Sequence, residues 1–273
     1  MNDRRRTAEV AALIGLFLGI TAFTVGGFLK HWAPPVASDH GAGVDGVIDY
    51  LLWATGAVLV IGAVALAVLL WRYARGPRAG SPATNARAEF WWTVVPVFGM
   101  IAITEVGVVV VGFPVWQQIY ARPPAGAVVI EVTGQQFEWI VRYPGRDGTF
   151  GRVAPELVAK ANPAGLDQGD PAALDDIVVN NQLHVPAGQP IDLRLRGRDV
   201  LHSFSVAAFR VKQDVVPGIL GTLLFAATTP GRYEIACTQV CGMGHYRMRG
   251  AVHVQPPLEY QAWLDTQTAW LAQ

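Results

Sequence analysis

Hydrophobic positions fall into two regimes along the chain. Three long runs come first: Ala8 to Leu29, whose only charge is Glu9; Val47 or Ile48 to Leu70, with Asp49 at its mouth; and Trp91 to Trp116, with Glu105 as its single acid. At about 1.5 Å per residue such runs cross a hydrocarbon core of about 30 Å. They predict three spanning helices, at about 8–29, 48–71 and 91–114. Tyr50, Trp53, Trp71, Trp91, Trp92 and Trp116 sit near the ends of the second and third runs, where amphipathic rings prefer the membrane interface. From Gln117 onward the period drops to two. Ile191, Leu193 and Leu195 alternate with Asp192, Arg194 and Arg196, and Val128 to Thr133 and Ala251 to Val254 read the same way, which predicts strands. The chain thus divides into an anchor, 1–116, and a β domain, 117–273. Between Tyr143 and Asn180 a polar Gly/Pro/Asp stretch interrupts the strands and reads as an insertion at about 144–180. Pro256 and Pro257 open a predicted closing helix with Tyr260, Trp263, Leu264, Trp270 and Leu271 along one face. No internal repeat is visible.

Charge orients this plan. Arg4, Arg5 and Arg6 precede the first run, and Arg72, Arg75, Arg78 and Arg87 fill the connection between the second and third. Basic residues favour the cytoplasmic side, so the β domain is expected outside. A competing reading makes residues 1 to about 38 a cleaved signal peptide, with Val36, Ala37 and Ser38 as the cleavage-like triplet; the sidedness is the same. Over 273 residues, 52% hydrophobic and 15% charged is too apolar for a disordered chain. Lys and Arg total 21 against 21 Asp and Glu, so no basic field exists to grip nucleic acid. The β domain, with 13 bases and 14 acids, is nearly neutral.

The chain has two cysteines, Cys237 and Cys241, too few for a disulfide scaffold, and no CxxCH for covalent haem. The segment CTQVCGMGHYRM spaces Cys237, Cys241, His245 and Met248 at intervals of four, four and three. Two thiolates, an imidazole and a thioether form a soft donor set that suits copper, whereas zinc would take Cys and His without Met. A dithiol switch is the weaker reading, because CxxxC differs from the CxxC of thioredoxin. A site closed on a late loop needs one further ligand from a distant strand. His202 in DVLHSF is the candidate, and Asp199 three residues before it is placed to orient that loop. A lone His is more often a hydrogen-bonded structural residue and a lone Met more often core, so the case rests on the residues jointly.

The helical hairpin, AEFWWTVVP, DVLHSF, KQDVVPG and the Cys/His/Met loop together resemble subunit II of haem-copper cytochrome c oxidase over nearly the whole chain. The fold this implies is membrane-anchored all-β: N-terminal transmembrane helices followed by a cupredoxin-like β-barrel with a short C-terminal helix. The resemblance also implies CuA, a dinuclear mixed-valence copper centre bridged by Cys237 and Cys241. His202 and His245 would each bind one copper, Met248 would be a weak ligand to one and the carbonyl of Gln239 a ligand to the other. The implied role is to accept electrons from cytochrome c or another haem donor and pass them to haem in subunit I. There oxygen is reduced with proton translocation, so this chain is an oxidoreductase subunit whose oxygen site lies in another chain. The implied partners are subunit I, other oxidase subunits and membrane lipid, with no nucleic acid. The implied location is the bacterial inner membrane, multi-pass, with the copper domain on the periplasmic side.

Two positions depart from the family pattern. Gln239 stands where members usually carry Glu, and a neutral amide is a poorer ligand for the Mg or Mn ion of the subunit I interface. In GQQFEWIVRYPG, Phe137 occupies the place of the exposed Trp that receives the electron, with Trp139 two residues on; both are electron-entry candidates. Glu89 in AEFWWT resembles the family glutamate at the mouth of a proton path; the same placement also suits an ordinary helix-start acid, the weaker reading. Glu105, an acid within an apolar span, is expected to face subunit I or carry a proton. A CuA subunit of a related nitric oxide reductase and a copper-trafficking protein are the alternatives. Quinol oxidases are disfavoured because their homologous subunit lacks the Cys pair.

Overall fold

A computed structural model describes residues 3–30, 33–75 and 85–272. Arg78, one of the basic residues used above for sidedness, lies outside them. The chain separates into a helical unit, 1–32 with 45–114, and a β unit, 33–44 with 115–273.

In the helical unit α1 runs Asp3–Phe28, α2 Gly41–Arg75 and α3 Ala86–Gly107. Each lies in a stretch long and apolar enough to cross a membrane. Phe23, Trp53 and Trp92 are more than 70% exposed within the chain, as expected of helices whose outer faces meet lipid or other subunits rather than water. The Asn85 side chain caps α3 by accepting from the backbone N–H groups of Arg87 and Ala88. A π turn, Val108–Gly112, and a last turn, α4 (Phe113–Ile119), continue it. Helices α2 and α3 meet at Gly107, where any Cβ would run into the Tyr50 ring, and the Tyr50 hydroxyl donates to the Ile103 carbonyl.

Among the described residues the β unit holds ten strands in two sheets. β1 (Val128–Gln135), β2 (Glu138–Tyr143), β3 (Ile177–Asn180), β5 (Pro190–Gly197) and β8 (Leu220–Ala226) form one, in the order β3-β2-β1-β5-β8. β4 (Gln182–Pro186), β6 (His202–Val206), β7 (Val211–Val215), β9 (Gly231–Cys237) and β10 (Arg249–Gln255) form the other, in the order β4-β10-β9-β6-β7. The pairs β1/β5 and β4/β10 are parallel and the rest antiparallel. Alternation explains the core: Ile130, Val132, Ile191, Leu193 and Leu195 are wholly buried, together with Leu183, Val185, Phe204, Ile235 and Val252. Each such side chain contributes about 1.5–3 kcal/mol. The whole is the cupredoxin-like barrel that the resemblance implies.

Residues 33–44 lead into and begin α2 yet belong to the β unit. The N–H of Ala37 donates to Ala208 and its carbonyl accepts from Thr228, at 2.8 and 2.9 Å. Ser38 Oγ donates to the Phe209 carbonyl, and Asp39 accepts from the N–H of Ala226. The Val36, Ala37, Ser38 triplet is therefore part of the folded domain, and the two units interleave in sequence instead of dividing at 116.

The insertion folds onto β2 through a buried charge network. Arg142 donates to Glu131 and Asp176, both at 3.0 Å, and to the Gly151 carbonyl at 2.8 Å. Burial pushes the Asp176 carboxyl up to about 6 against the pull of Arg142. A raised folded-state pKa means the folded chain holds this proton longer than the unfolded chain, so the contribution is full below pH 4 and is lost as pH rises through about 6. The stability of the wild type relative to Asp176→Asn should thus fall between pH 4 and pH 6 in near-UV circular dichroism melts of the full chain; a constant difference would contradict this.

The closing helix is shorter than the sequence pattern predicts. α5 spans Pro257–Thr266, Gln267 is extended, and Trp270 and Leu271 sit in a separate turn. Trp270 is drawn off the predicted face because its N–H donates to Asp176 and its indole N–H to Ala161, both at 2.9 Å. It caps a second small core of Ile140, Leu166, Ala173 and Val178.

Candidate metal centre

The site lies at one end of the barrel, where β6 begins, β9 ends and the 238–248 loop returns to β10. Cys237 is the last residue of β9, and its N–H donates to the Met248 carbonyl at 3.2 Å, which closes the loop on itself. Both cysteines are free thiols, buried, with their sulfurs 3.8 Å apart. The Gln239 carbonyl is 3.2 Å from Cys237 Sγ. Cys241 Sγ lies 3.6 Å from His245 Nδ1 and 3.7 Å from Met248 Sδ. His202, fully buried at the start of β6, brings a ring nitrogen to the thiols: one donor atom from each of His202, Cys237 and Cys241 lies within 4.8 Å of the others. All six residues expected from the sequence as copper ligands therefore converge.

The donors fit a soft metal on structural grounds. His202 Nε2 is taken by Asp199 Oδ1 at 2.8 Å, whereas Nδ1 is buried without a hydrogen-bond partner. A buried ring nitrogen in that condition is costly, and a metal ion is the natural partner for its lone pair. Burial pushes the Cys241 thiol up to about 11, with the neighbouring Cys237 adding to the rise. Only a cation can hold two thiolates together in such a place, and its binding must displace their protons. Met248 is almost fully buried, so its thioether is held at the site. Met248→Leu should keep copper and shift its reduction potential, because a thioether tunes more than it holds. Loss of copper from that variant in metal analysis would show Met248 to be a principal ligand.

Phe137 and Trp139 separate. Gln135 pairs with Glu138 across the β1/β2 hairpin, so Gln136 and Phe137 form its turn. The half-buried Phe137 ring lies over the 238–248 loop, where a side chain at Gly244 would collide with it; Gly242, at φ +132°, sits in the left-handed region glycine tolerates. Trp139 is wholly buried, edge-on to His202 at 6.1 Å and to Phe204 at 5.5 Å. It cannot be an exposed docking aromatic: as the second residue of β2 it points into the core. The sequence reading missed the exposed rim of the loop, Val240, Met243 and Tyr246, because an irregular loop has no periodicity to betray which side chains face out. It also missed Gln136, whose amide donates to the Cys241 carbonyl at 2.5 Å.

Glu89 is exposed in the first turn of α3, and Glu105 is exposed within the helical unit near the end of the same helix.

An all-β barrel that brings two thiols, two imidazoles and a thioether together at one end, on a chain with spanning helices, defines a membrane-anchored cupredoxin-like metal subunit. The profile of the family "Cytochrome C oxidase subunit II, periplasmic domain" matches residues 128–254. The chain is 36% identical over 259 residues to the "Alternative cytochrome c oxidase subunit 2" of Bradyrhizobium diazoefficiens, covering 94% of this chain and 91% of that one. It is 31% identical to the cytochrome c oxidase subunit 2 of Cereibacter sphaeroides over 80% of this chain and 76% of that one. Among solved structures, the periplasmic domain of subunit II (CoxB) of Bradyrhizobium japonicum covers 53% of this chain and 96% of its own, at 30% identity and a TM-score of 0.40. The chain belongs to the cytochrome c oxidase subunit II family.

Proposed function

We propose that the chain is the CuA subunit of a respiratory haem-copper oxidase, which takes electrons from cytochrome c or another haem donor and delivers them to haem in subunit I for oxygen reduction coupled to proton translocation. The observation that carries this is the convergence of His202, Cys237, Gln239, Cys241, His245 and Met248 on one buried point. When bound, the copper pair supplies a one-electron redox centre. Cys237 and Cys241 would bridge it, His202 and His245 would each hold one ion, and Met248 and the Gln239 carbonyl would complete the set. The rigid barrel holds these donors in place between oxidation states, which keeps reorganisation small. Phe137, half-buried over the loop, is the entry side chain in this reading, and the buried Trp139 walls the His202 side off from water. Gln239 offers an amide where a Mg or Mn ion would prefer a carboxylate, so we assign no such ion. The location in this reading is a bacterial inner membrane, with the copper domain on the periplasmic side.

Isolation of the tagged full chain from its membrane tests the role. A haem-bearing multi-span subunit should co-purify, and the complex should consume oxygen with reduced cytochrome c. Recovery of the chain alone, or a complex that consumes nitric oxide but not oxygen, would overturn the proposal.

Glu89 is proposed as the proton entrance. The Glu89 carboxylate is exposed in the first turn of α3, where it can collect protons at the water interface. Stopped-flow reduction of the Glu89→Ala oxidase should show fast copper reduction and slowed reduction of the catalytic haem. Wild-type rates in both steps would leave Glu89 a helix-start acid, stabilising by about 0.3–1 kcal/mol.

A further inference from the structure

Three segments that are distant in sequence meet at the metal loop through one carboxylate and one amide. Asp199, in the β5/β6 connection, places Oδ1 2.8 Å from His202 Nε2 and accepts the N–H of Val200 at 2.7 Å. Its other oxygen, Oδ2, accepts the N–H of Gln136 in the β1/β2 turn at 2.8 Å. The Gln136 side chain then donates to the carbonyl of Cys241, a thiol residue of the loop, at 2.5 Å. A continuous chain of hydrogen bonds thus runs His202, Asp199, Gln136, Cys241, and joins the two sides of the donor set without passing through a donor atom.

A carboxylate accepts and does not donate, so the proton between Asp199 and His202 belongs to Nε2. This fixes the tautomer: Nδ1 carries the lone pair, and Nδ1 is the buried nitrogen without a hydrogen-bond partner. At its far end the clamp grips the loop by a carbonyl, which leaves the Cys241 sulfur to the metal. The same arrangement, a carboxylate behind a metal-binding imidazole, generally sets ring orientation and ligand basicity.

We propose that Asp199 and Gln136 are a pair of positioning residues that act as one clamp, setting the His202 tautomer and fixing the distance between His202 and the thiol loop. This rests on the copper reading above. The simpler role for Asp199 is to cap the Val200 N–H as a turn residue, and for Gln136 to fill a hairpin turn.

The test uses the detergent-solubilised full chain, loaded with copper, and the variants Asp199→Ala, Asp199→Asn, Gln136→Ala and the double Asp199→Ala/Gln136→Ala. Competition with EDTA should show copper affinity lowered about 10- to 100-fold in Asp199→Ala and Gln136→Ala. The double variant should be no worse than Asp199→Ala, because either change breaks the same chain. Asp199→Asn should fall between, since its amide oxygen still accepts from His202 while its nitrogen cannot accept from Gln136. Should Asp199→Ala fail to fold, Asp199→Asn and Gln136→Ala carry the comparison. On the metal-free chain, nitrogen chemical shifts of labelled His202 should report a protonated Nε2; a protonated Nδ1 would overturn the clamp. Unchanged copper affinity with a lowered melting temperature would reduce both residues to turn formers and overturn it too. Failure of the wild-type chain to bind copper would refute the copper reading instead, while the tautomer result would still judge the clamp.

Discussion

Replacement of Cys237 by serine is expected to abolish the electron paramagnetic resonance signature of an electron shared by two copper nuclei. Serine keeps the size of the side chain and leaves the backbone bond from residue 237 to the Met248 carbonyl in place, so the loop should still close. A hydroxyl is a hard, weakly acidic donor and does not replace a bridging thiolate. Cys237 Sγ sits 3.8 Å from Cys241 Sγ and 3.2 Å from the Gln239 carbonyl, and in the proposed reading its loss would remove a donor shared by both metals. The variant should fold, melt near the wild type without metal, and retain at most a mononuclear copper signal. A retained shared-electron spectrum would remove Cys237 from the ligand set.

Trp139→Ala should be the most destabilising single change in the β unit. The side chain is wholly buried between His202, Phe204 and the hairpin that carries Phe137, and its backbone N–H is held by the Asn181 side chain at 2.8 Å. Truncation of a large buried aromatic costs about 3–5 kcal/mol, which for a domain of this size lowers melting on the order of 10 °C. Copper affinity should fall with it, because the ring forms one wall of the His202 pocket. Near-native melting combined with lost turnover would return Trp139 to an electron-entry role and contradict its place as core.

Much of this architecture was legible in the residues because two simple signals are strong. Long apolar runs with a single acid each mark α1, α2 and α3, and the Cys237, Cys241, His245, Met248 spacing marks a soft-metal loop. Other features depend on contacts that no periodicity records. The attachment of Ala37 and Ser38 to the barrel comes from bonds to Ala208, Phe209 and Thr228, far along the chain. Phe137 and Trp139, two apart, both read as electron-entry candidates, yet the β2 strand begins at Glu138, which leaves Phe137 in the turn and Trp139 in the core. Trp270 and Leu271 match a helical face with Tyr260 and Trp263, but the buried Asp176 segment of the insertion captures Trp270. His202 was found by its motif; its link through Asp199 and Gln136 to the opposite side of the loop required the fold.

Copper binding by the whole chain bears most directly on the central claim. The detergent-solubilised wild-type protein, loaded anaerobically and freed of excess metal, should retain a pair of copper ions per chain. After addition of one electron per pair, it should show the hyperfine pattern of an electron shared equally by two copper nuclei. A single-copper pattern, or a chain that binds no copper while its barrel is folded, would contradict the account.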